Sequence, residues 1–222
     1  AWDLRNMSED WARKNLGGVV GVRLIKELRG QPCIEMKDPL ETKKMIATTR
    51  MFGKPVYELR ELREAVATYI TRAAEKLRRQ NSAAKTISVF LVTNNYSSHY
   101  EYKPASFSLY TTLPFATSLT NLLIEHAMPL VEQLYSKGSK YLKAGVILSG
   151  IVPDNAVQFN LFEQPSHHNE KKLMKMIDNV NFSMRNDVLK FASSGTKRDW
   201  KMRQELRSPR YTTRWDELYK VR

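Results

Sequence analysis

Between Lys43 and Pro153 the apolar residues switch repeatedly between a spacing of two and a spacing of three to four, and that succession leaves few folds open. Lys43 to Phe52 reads as a strand, closed by Gly53, Lys54 and Pro55. Leu59, Leu62, Val66, Tyr69, Ile70, Ala73 and Leu77 form one stripe of an amphipathic helix. Lys85 to Thr93 is β-branched and apolar, hence a strand, and a polar, aromatic loop follows from Asn94 through Pro104. Ser106 to Thr112 alternates hydroxyls with Phe107 and Leu109, a further strand. Leu119, Leu122, Leu123, His126, Leu130 and Leu134 mark a second helix, which Pro129 should kink or displace. Tyr141 to Ile151 is the last strand. The order β-α-β-β-α-β predicts an α+β module. Its two helices can cover only one face of a four-stranded sheet, which leaves the other face for a partner.

Shorter elements flank this module. Residues 1–30 read as helical, with Trp11, Leu16, Val20, Leu24, Ile25 and Leu28 as buried positions and a turn at Gly17-Gly18. Residues 31–42 carry Pro32 and Pro39 and look like a linker. Residues 153–162 open on a Pro-Asp-Asn turn signal. Residues 163–222 should form a small, mostly helical extension: a helix with Leu173, Met176, Ile177 and Val180, a short strand at Val188 to Ala192, and a basic, aromatic end containing Trp200, Tyr211, Trp215 and Tyr219. The N-terminus is not Met and has no apolar leader, so a piece of a longer protein is expected. No apolar run is long enough for a membrane helix, and a single cysteine, Cys33, fits a reducing compartment.

Charge narrows the function. The formal net charge is +13. Residues 42–150 hold fifteen Lys/Arg and seven Asp/Glu, so the central module alone carries +8. Such a surplus suits a polyanion, most simply nucleic acid. Cations on the first helix (Arg72, Arg78, Arg79) and on the first strand supply candidates, although Glu61, Glu64 and Glu75 dilute the helix. On the strand one register offers Lys44, Thr48 and Arg50 to the open face, and the other offers Lys43 and Thr49. Short hydroxyls and cations of this kind suit phosphates better than base edges. Catalytic chemistry is not legible. His167 and His168 are adjacent and point apart, no Gly-rich phosphate loop occurs, and no paired carboxylates stand ready for two metals. Neither a catalytic residue nor a metal site is expected.

One short segment asks for a partner of its own. Gln158, Phe159, Asn160, Leu161 and Phe162 follow the last strand and resemble the bacterial sliding-clamp-binding peptide, Gln-Leu-(Ser/Asp)-Leu-Phe. In that peptide the Leu and Phe fill an apolar pocket and the Gln orients them. Here Phe159 replaces the usual Leu. As residues alone, Phe159 and Leu161 also fit one face of a terminal strand.

The chain as a whole resembles a known family. Glu27-Leu-Arg-Gly-Gln-Pro-Cys33, Arg72-Ala-Ala-Glu-Lys-Leu-Arg78, Lys143-Ala-Gly-Val-Ile-Leu148, the pentapeptide and Ser208-Pro-Arg-Tyr-Thr-Thr-Arg214 occur in this order. Together they resemble the C-terminal half of the UmuC family, the polymerase subunits of bacterial Y-family translesion polymerases of the polymerase V type. The resemblance implies the end of a thumb at 1–30, a tether at 31–42, a DNA-gripping little-finger domain at 43–152 and a UmuC-type extension at 163–222. It implies that Arg210, Tyr211, Thr212, Thr213 and Arg214 belong to a surface for the processed UmuD dimer. It also implies primer-template DNA, the sliding clamp and the RecA filament as partners, in the cytoplasm at the nucleoid. The family's catalytic carboxylates and their magnesium belong to a palm that this sequence does not contain, so no cofactor is expected here. The alternative is a standalone regulator that binds clamp or DNA without a polymerase partner domain.

Overall fold

The structure is a computed structural model that describes residues 1–35, 42–96, 102–158, 168–184, 187–202, 204 and 206–219. The chain forms two compact units, Ala1–Thr42 and Lys43–Arg222. In the first, α1 (Trp2–Asn6), α2 (Glu9–Asn15) and α3 (Val19–Leu28) pack together. Ser8 caps α2 by accepting the Trp11 N–H at 3.1 Å. Gly17 and Gly18 take positive φ and turn the chain into α3. A Cβ on Gly21 would lie 2.6 Å from the Ala12 carbonyl, so α2 and α3 approach at a glycine. This contact decides which residues are buried. Ala12, Gly21, Val22 and Ile25 are buried and Leu16 and Leu28 are half-buried. Trp11, Val20 and Leu24, expected inside, are exposed. On α3, positions 21, 22 and 25 face α2, and 20 and 24 therefore face away.

The second unit is built on β1 (Ile46–Val56), α4 (Leu59–Arg79), β2 (Ser82–Tyr96), β3 (Tyr102–Thr117), α5 (Thr120–Leu134) and β4 (Tyr141–Pro153). The four strands pair antiparallel in the order β1-β4-β2-β3. The α+β module and its element order are as the sequence implied. Two details differ. Gly53, Lys54 and Pro55 do not end β1, because the register shifts between Met51 and Val56 and absorbs them as an irregularity. Pro55 is tolerated there because β1 is an edge strand. Pro129 sits inside α5 without moving its start and forgoes one backbone bond.

Helices α4 and α5 cover one face of the sheet. Leu62, Val66, Ile70, Leu77, Leu123 and Val131 meet Ile87, Val89, Leu91, Val146 and Leu148 in one core. Tyr69 on α4 joins it, 3% exposed. Burial pushes its phenol up to about 12, against a smaller opposing pull from the positive Arg50. The folded state thus keeps a proton that the unfolded chain releases near pH 10. The stability this contributes is complete below pH 10 and is lost between pH 10 and 12, about 2–3 kcal/mol. Denaturant titrations should show that loss in the parent and a flatter profile over the same window in Tyr69→Phe.

Residues 168–184 and 187–202 pack on the outer side of α4. Helix α6 (His168–Ser183) is pinned by Asp178, which accepts from Arg78 Nε at 2.6 Å and Nη2 at 2.7 Å. It is also held by Lys171 on Asp154 at 2.9 Å and by the buried Met174. The segment that follows carries Asp187, which pairs with Arg72 and Arg198. Residues 188–191 are not a strand: both backbone groups of Leu189 are taken by the Asn181 side chain, at 2.9 and 3.0 Å. Trp200 is 3% exposed, edge-on to Phe52 at 6.2 Å and to Tyr69 at 5.8 Å. No described helix is long and apolar enough to cross a membrane.

Candidate nucleic-acid interface on the open sheet face

Cross-strand pairing decides which residues stand on the face that the helices leave bare. Thr49 pairs with Gly145, Gly145 with Phe90, and Phe90 with Ser108. Ile147 pairs with Ser88 and Ser88 with Tyr110; Ser149 pairs with Thr86 and Thr86 with Thr112. Since side chains alternate along a strand, all of these share one face. Ile46, Thr48, Phe52, Ile87, Val89 and Leu148 belong to the other.

The open face carries rows of hydroxyls beside the Phe90 ring. Ser106, Ser108, Tyr110 and Thr112 form an exposed row on β3, and Thr86 and Ser88 a half-buried row on β2. Phe90 lies across Gly145, where a Cβ would stand 2.3 Å from the ring. The Lys143 ammonium lies over the same ring, 6.0 Å from its centroid. A cation held over an aromatic face keeps its charge while losing freedom, so Lys143 is set in place before a ligand arrives. Uncharged hydroxyl donors around a fixed cation can take up phosphate oxygens whatever the base sequence.

Of the two strand registers, the structure has the one that puts Thr49 on this face, exposed. Thr48 points into the helix layer, 8% exposed, with its hydroxyl unpartnered among the described residues, and so cannot reach a ligand on the open face. Arg50 falls on the same side as Thr48, exposed and beside Tyr69. Lys43 and Lys44 are exposed ahead of β1, where Lys43 exchanges hydrogen bonds with the Gln80 side chain.

The helix cations have structural partners. Beyond Asp178, Arg78 donates to the Ser118 carbonyl at 2.7 Å and to Thr120 Oγ1 at 2.9 Å. Arg72 bridges Glu75 and Asp187. Arg79 pairs with Glu75 and lies over the Phe182 ring. These three arginines hold α6 and Asp187 against α4, a use that sequence spacing does not disclose because Asp178 lies 100 residues from Arg78. Phe90 and Lys143 were missed in turn. The signal for Phe90 was the alternation on β2, where Ile87, Val89 and Leu91 mark the core and Thr86, Ser88 and Phe90 therefore mark the outside; Lys143, on β4, joins them only through strand pairing.

Of the clamp-type segment only Gln158 is described, and it is exposed; Phe159, Asn160, Leu161 and Phe162 lie outside the described residues. Arg210, Tyr211, Thr212, Thr213 and Arg214 come together as one exposed turn. The Thr213 and Arg214 N–H groups donate to the Arg210 carbonyl, and the Arg210 N–H donates to the Glu217 carboxylate. Tyr211 stacks on Tyr219 at 5.3 Å. Its phenol is raised above the usual tyrosine value, mainly by a hydrogen bond with Tyr219. Among the described residues no three His, Cys, Asp or Glu side chains are grouped to hold a metal.

Two family models match the chain. Residues 43–161 match the impB/mucB/samB family C-terminal domain. The chain belongs to that family. Residues 171–221 match a domain of unknown function, DUF4113. Protein UmuC of Salmonella typhimurium, strain LT2, is 34% identical over 223 residues, covering 100% of this chain and 52% of that protein. Protein SamB of Salmonella typhimurium is 33% identical over 220 residues, covering 98% and 51%. Protein ImpB of Salmonella typhimurium is 31% identical over 219 residues, covering 98% and 51%. The chain thus spans about half the length of these curated relatives of the impB/mucB/samB family. Among solved structures, the insertion ternary complex of Dbh DNA polymerase matches at 13% identity and a TM-score of 0.37, covering 68% of this chain and 40% of that one.

Proposed function

We propose that this chain is the DNA-gripping and clamp-tethering C-terminal part of an error-prone, Y-family translesion polymerase acting in SOS repair and mutagenesis. The observation that carries the DNA reading is the open sheet face, with its rows of hydroxyls and with Lys143 fixed over Phe90. Membership of the impB/mucB/samB family supports the wider assignment. Thr49 with Lys143 makes the inner contacts, and Lys43, Lys44 and Arg50 add charge at the rim of the same domain. Lesion bypass needs affinity that ignores the base, because the template base is damaged. Gln158 to Phe162 serves the sliding clamp, and Arg210 to Arg214 serves the processed UmuD dimer, with the RecA filament as a further partner. Magnesium and nucleotide chemistry belong to a catalytic half. The setting is the cytoplasm, at the nucleoid.

Titration with primer-template DNA across a salt series tests this reading. The logarithm of affinity should fall linearly with the logarithm of salt, by about 0.9 for each phosphate neutralised. A handful of contacts gives a slope of roughly −3 to −6 on the same rule. Lys143→Ala should flatten the slope by about one, and Phe90→Ala should weaken binding by loosening Lys143, both without changing sequence preference. Binding that ignores salt, or that is indifferent to both open-face variants, counts against the sheet face as the DNA site.

A further inference from the structure

We propose that residues Asp187–Met202 form a releasable strap, locked by Trp200, that closes over the edge of β1 and opens without unfolding the sheet. Neither the DNA reading nor the clamp reading is needed for this.

The strap is held at separated points. One end is the Asp187 ion pair with Arg72 and the other the Trp200 contacts with Phe52 and Tyr69, while Arg198 pairs with Asp187 inside the strap. Between them lie the Asn181–Leu189 bonds and Gly195, where a Cβ would stand 2.6 Å from the Glu64 carboxyl carbon. A single three-residue helical turn, Ala192–Ser194, is its only regular structure. A segment with so little structure of its own, attached at points, opens more readily than a strand or a core helix.

Its lock combines burial with unmade bonds. Trp200 is enclosed by aromatic rings, and its carbonyl accepts the Gly53 N–H at 2.9 Å on the outer edge of β1. Position 53 has to be glycine for this, because a Cβ would stand 2.5 Å from the Lys201 carbonyl oxygen. Three buried side-chain polar atoms lack a partner among the described residues: Trp200 Nε1, Arg198 Nε and Thr48 Oγ1. Two belong to the strap, and the third lies on the helix-facing side of β1, the side that carries Phe52. Buried polar groups without partners weaken the state that buries them, so the cost is concentrated at the joint that has to open. Much of the layer beneath is held independently of the strap: Leu62, Val66, Ile70 and Leu77 pack with the sheet core, and β1 is paired to β4 from Ile46 to Met51. Trp200 is the core residue nearest in sequence to the exposed turn at Arg210 to Arg214.

Native-state hydrogen exchange on the full chain, followed at low denaturant, tests the strap. In the parent, the Gly53 amide should exchange at least a hundredfold faster than Val89 in the central strand β2, and with a smaller dependence on denaturant. In Trp200→Ala, Gly53 should lose its protection while Val89 stays protected and the sheet still unfolds cooperatively; Trp200→Phe should restore much of the protection at Gly53. Parent amides of Gly53 and Val89 that open together, with one denaturant dependence, overturn the proposal. So does Trp200→Ala if it leaves Gly53 protected, or if it strips protection from Val89 as well, which would make Trp200 an ordinary core residue.

Discussion

Arg78→Ala should cost about 2–3 kcal/mol of folding stability and leave the salt dependence of DNA binding unchanged. The guanidinium makes four hydrogen bonds, two to Asp178 and one each to the Ser118 carbonyl and Thr120 Oγ1. Its side chain is only 13% exposed. Removing it strands the Asp178 carboxylate against the body of the domain. A bond to a charged group is worth about 1.5–3 kcal/mol, and breaking a fully buried pair costs about 3–5. Asp178 keeps some water, which places this pair below the buried case. Paired equilibrium unfolding and DNA titrations check both halves. A salt slope that flattens by one would return Arg78 to the DNA surface, where charge counting alone had put it.

The second large effect belongs to the clamp-type segment. Leu161→Ala with Phe162→Ala should abolish most affinity for a sliding clamp, since truncating an interface anchor commonly costs about 2 kcal/mol or more. Folding should be unaltered, because the segment follows the last strand of the core. Calorimetric titration of clamp into parent and double variant is the direct measurement, with thermal unfolding beside it. Equal affinity in the two would remove the clamp from the list of partners. A large drop in melting temperature would instead mean that the two side chains pack within the fold.

The element order was legible because each change of apolar spacing is a local property. Leu59 to Leu77 cannot be read as a strand, nor Lys85 to Thr93 as a surface helix. What could not be read depended on residues far apart in the chain. Thr48 and Thr49 are equivalent until β4 pairs with β1, and only then does one face the helices and the other the open side. Arg72, Arg78 and Arg79 form a credible phosphate-binding row until Asp187 and Asp178 fold back onto two of them. Trp200 looked like one more aromatic in a basic tail, yet its environment comes from Phe52 and Tyr69, over 130 residues earlier. Gly53, Lys54 and Pro55 read locally as the end of a strand, yet an edge strand tolerates the missing donor of Pro55, and Pro129 sits inside α5 without shifting its start.

The anchoring of β4 and α6 sets a leash on whatever the segment between them holds. On one side the Asp154 N–H donates to the Asn81 carbonyl at 2.9 Å. On the other, Lys171 returns to the same Asp154, and Asp178 closes on Arg78. The eleven residues 157–167 therefore lie between two flanks anchored in the same compact unit. A chain spans at most about 3.5 Å per residue, so a doubly tied segment of this length reaches no more than roughly 20 Å from its anchors. A clamp-binding peptide at a free terminus would let its domain swing on a long arm. Held from both sides, the same peptide would confine this domain to the clamp's immediate vicinity and restrict the orientations it can take there, so that docking also helps to aim the open sheet face.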